Sequence, residues 1–67
     1  MKVTYYDYEP GGGRSIRRRW NLHNVEIKKT DDGLGPYVFA DPGELVGYRL
    51  SPIIVCKACD LVKVEEE

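Results

Sequence analysis

The chain has 67 residues, of which 42% are hydrophobic and 31% are charged, and its formal net charge at pH 7 is -1. This length allows one domain and excludes a second, and the balance of apolar and charged residues is typical of a folded protein. The lack of a general basic excess excludes a protein that coats nucleic acid, so any contact with nucleic acid must be local.

The N-terminal third of the chain predicts one strand followed by a basic segment. Residues 3–8 are dense in β-branched and aromatic side chains, which favour a strand. Residues 10–14 contain a proline and three consecutive glycines, so we expect a flexible glycine hinge there. The basic residues 14–19 follow this hinge directly.

Residues 20–29 predict a second strand whose apolar residues change phase. Those residues are Trp20 and Leu22 at even positions and Val25 and Ile27 at odd positions. A slip of one residue exchanges the two faces of a strand, so we expect a β-bulge near His23 and Asn24 that turns all four side chains toward one core. A helix over residues 16–27, capped by Ser15, is the alternative.

The centre of the chain predicts turns around a third strand. Residues 31–36 combine aspartates, glycines and a proline, which is typical of a turn, and residues 37–40 are rich in strand-forming residues. Residues 42–47 fit either a β-turn or one short helical turn that begins after Asp41, and Gly47 keeps such a helix short.

The C-terminal third predicts a hairpin. Two β-rich runs, residues 53–56 and 61–64, flank the Cys-x-x-Cys segment, which we expect at the tip of the hairpin. Residues 65–67 are three glutamates and predict a solvated acidic tail. The sequence therefore indicates a mostly-β fold of about five short antiparallel strands, in one sheet or a small open barrel, with one helical turn at most.

Cys56 and Cys59 have the spacing of half a zinc site. Two thiolates separated by two residues can turn toward one tetrahedral metal ion, and a chain this short commonly needs a metal, a disulfide or a partner for stability. In one arrangement His23 and a carboxylate, Asp60 or Asp32, complete the site. In the other arrangement two chains of a homodimer share their four cysteines around one zinc ion.

Two other interpretations of the cysteine pair remain open. The side chains are small buried hydrophobic groups, or a reversible local disulfide, if no metal binds. A redox-active pair is the third interpretation, although such pairs usually begin at a helix N-terminus that lowers the pKa of the first thiol. The candidacy of His23 as a ligand depends on the cysteines, because a single histidine is more often a hydrogen-bonded, half-buried side chain.

Four arginines concentrate in six positions after the glycines: Arg14, Arg17, Arg18 and Arg19. Guanidinium groups match phosphate oxygens with two parallel hydrogen bonds. Tyr6 and Trp20, together with Tyr5 and Tyr8, lie on the adjoining predicted strands and are suited to stack unpaired bases. The alternative is a solvated hairpin end in which Trp20 belongs to the core and the tyrosines serve only sheet packing.

The sequence predicts a small non-catalytic binding module. One histidine and few serines leave little for an acid–base or nucleophilic site, and the glycines lack the ending of a phosphate-binding P-loop. The N-terminus lacks the apolar segment of a signal peptide, and the longest apolar run, residues 53–56, is too short to cross a bilayer. We therefore expect a cytoplasmic protein without membrane contact.

The expected partner of this module is RNA or single-stranded DNA, bound through the arginines, with zinc as the candidate cofactor. The alternative is a protein-interaction module, such as a regulatory protein or inhibitor of a larger enzyme. In that case the sheet edge and the arginines would contact an acidic protein surface.

Overall fold

In the computed structural model, residues 1–45, 48–49 and 51–67 are described. The strands, in chain order, are β1 (Lys2–Tyr8), β2 (Arg14–Arg19), β3 (His23–Lys28), β4 (Tyr37–Asp41), β5 (Glu44–Leu45), β6 (Tyr48–Arg49), β7 (Ile53–Lys57) and β8 (Leu61–Glu65). A turn of 3-10 helix, Ala58–Asp60, links β7 to β8, and the described residues contain no α-helix. Among them no helix has the length and apolar character needed to cross a membrane. The predicted mostly-β class is confirmed.

The strands form two small antiparallel sheets that are not closed into a barrel. The first sheet has the order β2-β1-β8 and the second has the order β3-β4-β7, while β5 and β6 form a separate short pair. β1 and β4 are thus the central strands, and they contain deeply buried residues such as Val3 and Val38. The expectation of short antiparallel strands is confirmed, in the form of six strands in two sheets.

A small core joins the two sheets. Val3 from β1, Ala40 from β4 and Leu22 from the link between β2 and β3 form one buried cluster. Their partly buried neighbours come from both sheets and are Tyr5, Val25, Val55 and Leu61. Because hydrophobic stabilisation scales with the apolar area removed from water, each residue of so small a core contributes a large share of the stability.

The basic residues form an edge strand of the first sheet. Gly11 and Gly12 have φ angles of 95° and 94°, a conformation that glycine adopts without a steric penalty. The backbone N–H of Glu9 donates to the carbonyl oxygen of Gly13 at 2.8 Å and closes the loop. The glycines therefore form the turn of a β1–β2 hairpin, and β2 lies along β1 with its other edge unpaired by any described strand.

The second predicted strand begins later than expected. β3 starts at His23, and residues 20–22 form the link between the two sheets. The expected bulge is confirmed, because the register of β3 against β4 shifts between His23 and Glu26 and Asn24 has a φ of 53°. The helical alternative for residues 16–27 is excluded, since these residues lie in β2, the link and β3.

This bulge does not turn all four apolar residues of the segment into one core. Leu22 is 1% exposed and Val25 packs against the core, as expected. Trp20 is 55% exposed and Ile27 is 58% exposed, so the expectation is wrong for these two residues. Trp20 lies where the chain leaves the first sheet, and Ile27 lies on an edge strand that the small core does not cover.

The predicted hairpin between residues 53–56 and 61–64 is wrong. β7 pairs with β4 in the second sheet, whereas β8 pairs with β1 in the first sheet. The turn Ala58–Asp60 therefore carries the chain from one sheet to the other. This pairing packs Val55 and Leu61 against the shared core, and burial of apolar surface favours it over a local hairpin.

The third predicted strand is confirmed as β4, and the turn before it has the expected chemistry. The carboxylate of Asp32 accepts a hydrogen bond from the backbone N–H of Leu34 at 2.9 Å and another from the hydroxyl of Thr30. The helical turn expected near residues 42–47 is absent from the described part of that segment, where β5 pairs with β6. Residues 46–47 lie outside the described residues.

Candidate nucleic-acid interface

The register of β1 and β2 divides the first sheet into two faces. Successive side chains of a strand point to opposite faces, and directly paired residues of neighbouring strands share a face. Val3 lies in the core and pairs with Arg19, so its face is turned toward the second sheet. Thr4 pairs with Arg18 and alternates with Val3. We call the face that contains Thr4 the outer face.

The outer face combines basic and aromatic residues from all three strands. Its members are Lys2, Thr4, Tyr6 and Tyr8 of β1, Arg14, Ile16 and Arg18 of β2, Lys63 and Glu65 of β8, and Trp20, which directly follows β2. The Cζ atom of Arg14 lies 4.3 Å from the ring centre of Tyr6, and Lys2 Nζ lies 5.9 Å from that of Trp20. Cations and aromatic rings thus lie next to one another on one surface.

The aromatic rings of the outer face are accessible. Tyr8 is 61% exposed and Tyr6 is half-buried, so with Trp20 they offer three rings to a ligand. The exposure of Trp20 is incompatible with the alternative in which this residue belongs to the core. The hydroxyl of Tyr8 donates to Oδ1 of Asp60 at 2.9 Å, which restricts the ring, and this hydrogen bond raises the pKa of Tyr8.

The cations of the outer face differ in how they are paired. Lys2 Nζ lies 3.5 Å from Oε1 of Glu65 and Lys63 Nζ lies 3.1 Å from the same oxygen. Hydrogen bonding from Lys63, reinforced by Lys2, lowers the pKa of Glu65. Arg14 and Arg18 make no ion pair within the described part of the chain. Their guanidinium groups are therefore available to an anionic ligand.

The remaining two arginines do not belong to this surface. Arg17 and Arg19 alternate with Arg18 and project from the opposite face of β2. Arg17 Nε lies 3.4 Å from Oδ2 of Asp7, in an exposed ion pair of the kind that adds little stability. The prediction of four arginines acting together is thus corrected to two pairs on opposite faces, because the segment is a strand.

Sequence reasoning missed five residues of the outer face: Lys2, Thr4, Ile16, Lys63 and Glu65. The β8 strand contributes Lys63, whose Cα partner is Thr4 on β1. A local hairpin of residues 53–64 would have kept Lys63 away from β1. The alternation of Lys2, Thr4 and Tyr6 along the first predicted strand is the one sequence signal that indicated a shared face.

His23 is not brought to the cysteine pair. Cys56 pairs with Val38 on one side of β4, whereas His23 pairs with Asp41 on the other side. Their partners on β4, Asp41 and Val38, are three residues apart, which corresponds to about 10 Å along the strand. Across the sheet, β3 and β7 are separated by two further strand spacings. Zinc ligands lie within about 2.3 Å of the metal, so one ion cannot bind both.

The two proposed carboxylate ligands have other roles. Asp60 is buried and accepts the Tyr8 hydrogen bond, and Asp32 organises its own turn. Among the described residues no group of three or more histidine, cysteine, aspartate or glutamate side chains is placed to hold a metal ion. Zinc held by Cys56 and Cys59 from two chains remains a prediction.

The environment of the two free thiols does not favour a nucleophile. Cys56 is half-buried and Cys59 is exposed. Burial raises the pKa of Cys56 to about 11, and the negative charges of Asp60 and Cys59 add to the effect. At neutral pH the Cys56 thiol is therefore protonated, which is opposite to the lowered pKa that redox catalysis requires.

A shallow pocket on the second sheet offers little to a ligand. Its volume is about 210 Å³, below the range of small-molecule sites, and it is lined by Asn24, Glu26, Lys28, Phe39, Ala40, Asp41 and Pro52. The polar groups around it bind one another: Asn24 Nδ2 donates to Asp41 Oδ2 at 2.8 Å, and Lys28 Nζ lies 2.8 Å from Glu26 Oε2.

Comparison with known proteins adds no assignment to this geometry. The outer face is therefore interpreted from its own residues, contacts and charges. No protein-family model matches the sequence, and no curated protein or solved structure is significantly similar to it.

Proposed function

We propose that this protein is a small non-catalytic module that binds single-stranded RNA or DNA on the outer face of its first sheet. The observation that carries the proposal is that accessible rings and basic side chains lie side by side on one open surface. Base–aromatic stacking and phosphate contacts are the two interactions that bind single strands without strong sequence preference. Both kinds of group are available here within one sheet.

The spacing of the rings favours a single strand over a duplex. Tyr6 and Tyr8 are two residues apart on β1, so their Cα atoms are separated by about 7 Å. Successive bases of B-form DNA are stacked about 3.4 Å apart, which leaves no room for a ring between them. A ligand that stacks on both tyrosines must therefore have its bases splayed apart, as single strands do.

The charge arrangement supports a limited number of phosphate contacts. Arg14 and Arg18 are unpaired by the described residues, and Lys2 and Lys63 share one carboxylate, that of Glu65. Two to four phosphate contacts correspond to a salt slope of the binding constant between about -1.4 and -2.8 on logarithmic axes for a single strand.

The experiment that tests the proposal is a salt titration of binding to labelled single strands of about ten uridines or thymidines, read by anisotropy. Trp20, the chain's one tryptophan, provides a second readout through its fluorescence. We expect binding at low salt, quenching of Trp20 and weakening as salt rises. The absence of binding at low salt would refute the proposal.

Two charge-matched variants test which face binds. R14A/R18A removes two cations from the outer face, and we expect affinity to fall roughly tenfold or more and the salt slope to become shallower by about 1.4. R17A/R19A removes the same charge from the opposite face and is the control, with a much smaller effect. Equal losses in both variants would contradict binding on the outer face.

A protein-interaction function is the second candidate, and the free edge of β2 is the observation that favours it. An extended acidic peptide that added a strand to this edge would contact arginines of both faces, in the way known for β-strand addition. In that case both double variants weaken binding to an acidic peptide, and single strands of nucleic acid do not compete for the site.

A further inference from the structure

Thr4 is a buried polar residue at the centre of the outer face. It lies on the central strand β1 and is 3% exposed, although its side chain points away from the core. Its Cα partners are Arg18 on one side and Lys63 on the other. Its Oγ1 atom has no hydrogen-bond partner among the described residues. A hydroxyl is thus held without a partner between two basic side chains.

An unpartnered buried hydroxyl destabilises a folded protein, and a valine of the same shape would avoid that cost. The groups on either side of Thr4 are the long side chains of Arg18 and Lys63, which can move. Residues directly paired across a sheet have Cβ atoms about 5 Å apart, so all three side chains can reach one small ligand. The ligand that fits two cations and a hydroxyl donor is a tetrahedral oxyanion.

We propose that Thr4, Arg18 and Lys63 form a binding site for one phosphate group. Arg18 supplies a planar fork for two oxygens, Lys63 a point charge, and Thr4 a hydroxyl that donates a hydrogen bond. If the proposed function is right, this phosphate belongs to the backbone of a bound single strand. Free inorganic phosphate is the other ligand with the same chemistry.

The position of the site agrees with the positions of the rings. Along β1, Thr4 lies two residues from Tyr6 in one direction and two residues from Lys2 in the other. Lys2 in turn lies beside Trp20. A phosphate at Thr4 therefore joins nucleotides that stack toward Tyr6 and toward Trp20. Lys63 exchanges its contact with Glu65 for the phosphate when the strand binds.

Two substitutions at one position test the site. T4V keeps the shape of the side chain and removes the hydroxyl, whereas T4S keeps the hydroxyl and serves as the matched control. We expect T4V to raise the melting temperature by about 5 °C, because an unpartnered buried hydroxyl is lost. The same variant should bind the single strand roughly tenfold more weakly, while T4S binds as the unmodified chain does.

Opposite changes in stability and affinity separate a binding role from a structural one, since structural damage lowers both. If T4V binds the single strand as tightly as the unmodified chain, the phosphate site is refuted and the proposed function stands.

A titration with inorganic phosphate, followed by NMR of the backbone amides, separates the two sources. We expect shifts at Thr4, Arg18 and Lys63 in the unmodified chain, and in T4V these shifts should need roughly tenfold more phosphate. If these shifts occur although the chain binds no single strand, the phosphate site stands and the nucleic-acid function falls. If neither phosphate nor a single strand perturbs these amides, the site itself is refuted.

Discussion

The two sheets differ in how the charged side chains on their surfaces are paired. On the second sheet, Lys28 forms a 2.8 Å ion pair with Glu26, whose carboxylate raises the pKa of Lys28, and Asn24 is hydrogen-bonded to Asp41. On the outer face of the first sheet, the arginines lack such partners within the described residues and lie among accessible rings. Basic side chains without a carboxylate partner, lying beside accessible rings, therefore distinguish the candidate binding surface from a solvated one.

The largest expected change in stability comes from a substitution in the core that the two sheets share. Leu22 lies in the link and is almost fully buried, so Leu22→Ala should destabilise the domain by about 3 kcal/mol and unfold both sheets together. Ile27→Ala is the control at an exposed position of the second sheet, and should change stability by less than about 0.5 kcal/mol. Urea unfolding followed by circular dichroism measures both.

A transition in two separate steps would contradict the single core. So would a loss of similar size in the Ile27→Ala variant, because that residue lies outside the buried cluster.

An intermediate effect compares the two sheets directly. Glu65→Gln frees Lys2 and Lys63 on the outer face, and we expect tighter binding to a single strand with a salt slope steeper by up to about 1.4. Glu26→Gln removes the same charge from the second sheet and releases Lys28 alone, so its effect should be far smaller. Anisotropy titrations at several salt concentrations measure the affinity of both variants. Equal gains in affinity for Glu65→Gln and Glu26→Gln would contradict the prediction.

The charge of Glu65 also determines how its ion pairs with Lys2 and Lys63 depend on pH. Because Lys63 and Lys2 lower the pKa of Glu65, its carboxylate stays charged down to a pH below the ordinary carboxyl range. The ion pairs stabilise the fold above the ordinary pKa and are lost as pH falls through the lowered one. Mild acid should therefore leave Glu65 charged. We do not expect it to reproduce the gain in affinity that Glu65→Gln gives at neutral pH.

The smallest expected effect concerns the turn between the sheets. We predict that zinc, where it is bound, lies between two chains that each supply Cys56 and Cys59, since His23 is on the far side of β4. Native mass spectrometry should then find one zinc per dimer in the unmodified chain and in His23→Ala, and none in C56S/C59S. One zinc per monomer that is lost in His23→Ala would contradict this arrangement.

Proton release supplies a second check on the metal. Burial raises the pKa of Cys56 to about 11, so zinc binding must displace the thiol proton and should weaken as pH falls. Nucleic-acid binding is expected to change little in C56S/C59S, because these substitutions remove neither a cation nor an aromatic ring of the outer face.

Several elements were predictable from local sequence. The first and third strands follow from β-branched and aromatic runs, and the bulge near Asn24 follows from the phase change between Leu22 and Val25. Candidate ligand groups such as Arg14 were recognised by residue type. The split of the arginines was within reach as well, since it requires only that residues 14–19 form a strand.

What the sequence by itself determined is the strand-forming character of most segments, β2 excepted, because alternation and turn residues act over a few positions. Which strands pair was decided only by the tertiary structure. β8 joins β1 instead of β7 since that pairing packs Leu61 and Val55 on one shared core, and this burial depends on residues far apart in the chain. The same pairing brings Lys63 beside Thr4, so the proposed phosphate site exists only in the folded protein.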